Sequence, residues 1–282
     1  MRVADLSPLV LRGGCAALGV VLGIVAGALT DVTAKRGGLV PLVTGSPRAR
    51  RNLVLVVLST LFAVGLAGRV LAYPTTETST AAIYLGTNMV IGLCFLAGAA
   101  VDLEHMILPN ELMLVSTIIG LGTAHFRAVG LASSVGGAVL GLTASFLPAL
   151  AFRLIRKKSG MGMGDAKLSI AAGAWLGVGG VFFMLLAGAL QSVLAAVIMR
   201  ALELRYRVPA SVLREVEELR ARAAAGDEDA KAEMADDPMA NDEGRDGDGV
   251  LATRLPLGPF LVLAAFEFVF FGRVVMDAFF AL

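Results

Sequence analysis

Hydrophobic positions along this chain fall into long continuous runs, not into alternating apolar and polar positions. The runs lie near 13–30, 53–72, 81–101, 107–125, 131–153, 180–201 and 256–277, and a helix needs about 20 mostly apolar residues to cross a bilayer core. Seven full-length spans are therefore predicted. An eighth run, DAKLSIAAGAWLG between Asp165 and Gly177, is too short at about 1.5 Å per residue to cross alone. It is expected to enter the membrane partway, sheltered by neighbouring helices. The predicted fold class is an all-α integral membrane protein, a polytopic bundle of about eight transmembrane helices, one of them short.

Composition agrees with this reading. Of 282 residues, 57% are hydrophobic and 17% charged, more apolar material than one water-soluble core requires. The start, MRVADLSPLVLRGG, could imitate a signal peptide. Since apolar runs continue along the whole chain and no clear cleavage site follows, it is read as a retained first span. Cys15 and Cys94 both lie inside apolar runs, without a CxxC or Cys/His cluster, which speaks against disulfides and structural zinc. Neither a metal nor a cofactor is expected.

The net charge of +1 averages two different regions. Residues 203–250 hold 14 Asp/Glu and 7 Lys/Arg, a balance of −7, while the remainder holds 9 and 17, a balance of +8. This divides the chain into a membrane domain at 1–203, an acidic cytoplasmic insertion at 204–254 and a last transmembrane helix at 255–282. With the amino terminus outside, the segments 31–52, 102–106, 153–167 and 200–255 are cytoplasmic and carry 19 of the 24 Lys and Arg. The positive-inside bias favours that orientation. The expected partner surface is the lipid bilayer, not nucleic acid, and the oligomeric state is left open. Dense small residues in GLASSVGGAVLGLTAS at 130–145 are read as a surface for close helix packing.

Two segments carry candidate chemistry. In KKSGMGMGDAKLSIAAGAWLG at 157–177, alternating glycines deliver Asp165 to the start of an apolar helix. An N-cap role would explain the aspartate but not the glycines before it. In AAVDLEHMILPNELML at 99–114, Asp102 closes one span, and Pro109-Asn110 opens the next after six intervening residues. An ionisable group at this depth is costly without a partner or a task, and both aspartates fall on the same membrane face. Two carboxyls brought together cannot both ionise readily and share a proton. That is the state aspartyl proteolysis uses: one carboxylate takes a proton from water while its protonated partner polarises the scissile carbonyl.

These residues resemble the type IV prepilin peptidases, a GxGD family of membrane aspartyl proteases, in three places. DLEHMILPN from Asp102 is similar to the family's first motif, an Asp followed by a Pro-Asp or Pro-Asn pair. Gly162-Met163-Gly164-Asp165-Ala166-Lys167-Leu168 is similar to its second, GxGDxKL, and continues into GAWLG. Leu255-Pro256-Leu257-Gly258-Pro259-Phe260-Leu261 resembles the PFGPFL segment that opens the final helix. The resemblance implies that Asp102 and Asp165 are catalytic, and that Gly162, Gly164, Lys167, Pro109, Asn110, Pro256, Gly258 and Pro259 shape the site. Lys167 is read chiefly as a snorkelling boundary anchor, and Glu104 and His105 as solvated loop groups. The implied substrates and partners are prepilins or type II secretion pseudopilins, cut after a glycine between a basic leader and an apolar helix. The implied location is the bacterial inner membrane, multi-pass, with the site facing the cytoplasm.

Two departures from the family stand out. Many members carry two CxxC pairs in the first cytoplasmic loop, together with an N-methyltransferase function; here that loop is DVTAKRGGLVPLVTGSPRARRN and has no cysteine. Peptidase activity is implied more firmly than methylation. The acidic insertion predicts a short helix in SVLREVEELRARAAAG, with Val212, Leu213, Val216 and Leu219 on one stripe, followed by disorder in 226–249. Its spacing fails the calcium-loop pattern, so it reads as a solvated linker before a recruiter of basic leaders. Glu267, deep in the last span, is expected to be hydrogen-bonded inside the bundle.

Two other functions compete. A presenilin-like protease would place a PAL motif after the GxGD aspartate, whereas Pro148-Ala149-Leu150 precedes Asp165. A transporter or scaffold would use its intramembrane carboxylates for protons or packing.

Overall fold

The computed structural model describes residues 2–33, 47–156, 163–204, 210–236 and 255–280. These residues form helices and no strand: α1 Pro8–Thr33, α2 Pro47–Leu71, α3 Thr78–His105, α4 Asn110–Gly122, α5 Leu131–Arg156, α6 Met163–Ala201, α7 Ala210–Ala224, α8 Glu228–Asp236 and α9 Gly258–Phe280. Proline begins α1 and α2, where its fixed φ suits the first turn and its missing N–H costs nothing.

Four helices are long and apolar enough to cross a membrane by length and composition: Pro8–Thr33, Pro47–Leu71, Thr78–His105 and Gly164–Ala201. Asn110–Gly122, Leu131–Leu147 and Gly258–Gly272 are shorter apolar stretches. The chain is thus a multi-pass membrane protein, but its spans are less uniform than the seven long runs suggest. The run at 107–125 is the clearest case. Only 13 residues of it are helical, about 20 Å at 1.5 Å per residue against a hydrocarbon core of roughly 30 Å. Leu108 and Pro109 are instead buried before the helix begins, and a short 3-10 turn at Ala124–Phe126 ends it.

The long α6 is two helices. Gly177, at φ 76 and ψ −172, interrupts it where the sequence predicts the short eighth element to end. The carbonyls freed by the break need donors, since lipid supplies none. Arg127 provides them: its guanidinium donates to the carbonyls of Trp175 and Ala174 and to that of Gly120 in α4.

The core lies between α2, α3, α6 and α9. Phe62 stacks on Phe266 with ring centroids 4.4 Å apart, and Trp175 meets Phe95 edge-on at 5.1 Å. The Trp175 indole N–H donates to Oδ1 of buried Asn88 at 3.0 Å, so its one polar atom is satisfied. Against this core α5 packs on α6 through small residues, where Gly137 and Gly141 lie against the backbone of Gly173 and Ser169. Large apolar side chains such as Leu61, Leu186, Leu190 and Leu194 point outward; in water they would form an adhesive patch, and in a bilayer they meet lipid.

The insertion differs from its expectation. A second helix, α8, stands where acidic composition predicts disorder. Asp227 caps it, accepting the Ala230 N–H at 3.1 Å and pairing with Arg222 at 2.7 Å. Ala230 and Met234 then pack on Val216, Leu219 and Ala223 of α7. Leu213, expected on the same stripe, is exposed; residues 237–254 and the side chain of Val212 lie outside the described residues. Glu267 accepts a hydrogen bond from Nε2 of Gln191 at 2.7 Å.

Candidate active site

Antiparallel packing brings helix termini together at one end of the bundle, among them the ends of α1 and α3 and the starts of α2, α4, α6 and α9. Asp102 opens the last turn of α3, which runs on to His105 instead of closing at the aspartate. The turn stops at Met106, whose φ of 55 puts a non-glycine residue in the left-handed region, and its N–H returns to the Asp102 carbonyl at 2.8 Å. The reversal aims Leu108 and Pro109 back into the bundle, where both are buried.

Leu108 joins the two motif segments, because its side chain lies directly over Gly164, one residue before Asp165. A second tie is polar. Nζ of Lys167 donates to Oδ1 of Asn110 at 2.6 Å, so the lysine holds the first residue of α4. An amide oxygen of the other motif thus takes the ammonium, at an exposed position. Gly162 lies outside the described residues, as do the side chains of Pro148, Ala149 and Leu150.

The third segment reaches the first aspartate directly. The Gly258 backbone N–H, at the start of α9, donates to the carboxylate of Asp102, and a Cβ on Gly258 would collide with Oδ2. Pro256, buried just before, and Pro259, just after, border this contact. Asp102 is almost fully enclosed, with 7% of its surface exposed. Asp165 stands close enough for its charge to repel that of Asp102, while its own surroundings are more open. A buried carboxyl, a second carboxyl within electrostatic reach and a backbone donor on the first are parts that acid–base chemistry on a carbonyl can use.

Residues 89–199 match the model of the type IV leader peptidase family. The match covers 111 of the 282 residues. Over 121 residues the chain is 33% identical to a prepilin leader peptidase/N-methyltransferase of Neisseria gonorrhoeae, covering 43% of this chain and 41% of the relative. The protein of that name from Aeromonas hydrophila is 40% identical over 102 residues, 35% of this chain and 32% of the relative. The one from Pseudomonas aeruginosa is 32% identical over 119 residues, 42% of this chain and 41% of the relative. The chain thus spans less than half the length of these curated relatives. No solved structure matches it.

Asp102, Asp165, Asn110 and Lys167 all lie inside the leader peptidase segment, whereas Gly258 lies outside it. The contact from α9 to Asp102 is therefore made by a segment beyond the matched residues, the one that resembles PFGPFL. Sequence reasoning missed a further group at this end. Glu104, read as a solvated loop residue, belongs to the last turn of α3 and pairs with Arg51 of α2 at 3.2 Å; Arg51 also pairs with buried Asp31 of α1 at 3.0 Å. The signal available was weak: a lone Asp at the end of an apolar run and one Arg of a basic cluster.

Proposed function

We propose that this chain is a membrane aspartyl endopeptidase that removes the basic leader from type IV prepilins or type II secretion pseudopilins, cutting after a glycine at the cytoplasmic face of the bacterial inner membrane. The observation that carries the reading is the meeting of two motif aspartates, Asp102 and Asp165, at one end of the bundle, their charges acting on each other. The leader peptidase match over 89–199 and the excess of Lys and Arg in the loops at that end support it.

In this reading the pair holds one proton. The ionised carboxylate removes a proton from a water molecule as the water attacks the peptide carbonyl of the glycine. The protonated carboxyl donates to the carbonyl oxygen, giving a gem-diol. Collapse of that intermediate breaks the C–N bond, the amine leaves with a proton from the pair, and the new acid gives one back. Gly258 stabilises the charged form of Asp102 through its N–H, and α9 adds the positive end of its dipole. The proposal covers peptide cleavage alone, since the first cytoplasmic loop, 31–52, holds no cysteine.

The test is leader removal from a co-expressed prepilin by wild-type, Asp102→Asn and Asp165→Asn proteins. Each substitution is expected to abolish processing while the protein still accumulates in the membrane. Processing at the wild-type rate by either variant would overturn the dyad.

A further inference from the structure

Arg51 is part-buried at the start of α2, with 10% of its side chain exposed, and its guanidinium joins three helices. Nη2 pairs with Oδ1 of Asp31 in α1 at 3.0 Å, and Nη1 reaches both oxygens of Glu104 in α3 at 3.3 and 3.2 Å. Nε and Nη2 also donate to Oδ1 of neighbouring Asn52 at 3.0 and 2.7 Å, and Nη2 to the Gly27 carbonyl at 3.4 Å. His105 adds a nitrogen 3.9 Å from the Glu104 carboxylate. A buried ionic cluster is poor evidence for stability, because apolar side chains would join the same helices as well. What a fork of directed donors adds is orientation.

The orientation at stake is that of Asp102. Residues two apart on a helix point to opposite sides, so Glu104 faces α1 and α2 while Asp102 faces α9 and Asp165. The last turn of α3 is thus held from both sides, by Arg51 on one and by the Gly258 N–H on the other, just before Met106 ends the helix. We infer that Arg51 is a positioning residue, which sets the rotation of this turn through Glu104 and so places the Asp102 carboxylate; the inference rests on the peptidase reading above. A carboxylate about 6 Å from the helix axis moves about 1 Å for a rotation of roughly 10°. A misplacement of that size can lower a rate about 100-fold.

The experiment uses the full chain in lipid nanodiscs and a peptide made of a basic segment, a glycine and an apolar helix. Cleavage kinetics are measured for wild type, Asp165→Asn, Arg51→Met, Arg51→Lys and Glu104→Gln, together with amide hydrogen exchange over residues 100–106. Arg51→Met is expected to lower kcat about 100-fold with KM within roughly threefold, and to speed exchange in 100–106 but not in α5. Arg51→Lys, which keeps the charge but not the fork, recovers part of the loss. Glu104→Gln shows the same pattern more weakly, and these two variants carry the test if Arg51→Met does not accumulate. Unchanged exchange at 100–106 in Arg51→Met overturns the pin whatever the activity, and so does a rise in exchange spread over the whole bundle. Unchanged kcat with faster exchange overturns the catalytic role. A wild type that cleaves no faster than Asp165→Asn refutes the peptidase reading instead.

Discussion

Oδ2 of Asp102 lies against the backbone of Gly258, which donates its N–H to that carboxylate at the first residue of α9. The donor is one of the N–H groups a helix leaves unpaired at its start. A segment about 150 residues downstream of Asp102 thereby becomes part of its immediate surroundings.

Gly258→Ala tests this contact. The added methyl meets Oδ2, so either the carboxylate or α9 must give way. An overpacked contact typically costs about 1–3 kcal/mol, which the bundle should survive. Leader cleavage should nevertheless fall by about 100-fold, with KM little changed. A Gly258→Ala protein of normal kcat would mean that Asp102 works in another position.

The Lys167–Asn110 link should behave as a pair in a double-mutant cycle. Lys167→Met and Asn110→Ala are each expected to cost no more than about 1 kcal/mol, since the bond is exposed. The double variant should cost no more than the larger single loss, because each substitution already removes the shared bond. Additive losses in thermal unfolding would show that the two residues act separately.

Arg127→Met should destabilise the bundle far more than a loop substitution ordinarily does. It strips donors from the carbonyls of Gly120, Ala174 and Trp175, each worth roughly 1–3 kcal/mol when left unpaired in an apolar setting. A loss of about 3 kcal/mol or more is expected in detergent unfolding. A variant within about 0.5 kcal/mol of wild type would mean that other groups satisfy the break at Gly177.

The α7–α8 pair should loosen in acid. The Ala230 N–H, with the Arg222 guanidinium, holds the Asp227 carboxyl below its usual range. Its stabilising effect is therefore complete above the ordinary carboxylate value of about 4 and is lost as pH falls through the depressed one. Hydrogen exchange over 227–236 in the full chain should accelerate across that acid window, and Asp227→Ala should remove the step. An identical acid response in both proteins would count against the cap.

Several features were legible in the chain itself. Runs of about 20 apolar residues require helices, because only a helix satisfies its own backbone in lipid. The shortness of DAKLSIAAGAWLG implied a partial element, and Gly177 ends it where the backbone turns to φ 76. The motif aspartates, with the glycines and prolines beside them, marked the candidate site before any distance was known. Helix α8 was not legible, because acidity argues for solvation and one cap with a few apolar contacts to α7 outweighs it.

By itself, then, the sequence determined that this protein is helical, membrane-embedded and furnished with two unusual aspartates, since hydropathy and local backbone chemistry act over one or two turns. Only the tertiary structure decided what surrounds those aspartates. Gly258 donates to Asp102 from a distant helix, Asn110 takes Lys167, and Arg51 draws a boundary Glu104 into a part-buried ion pair. Each of these contacts joins helices far apart in the chain, and their partners are set by which termini the packing gathers at one end, information that no local pattern carries.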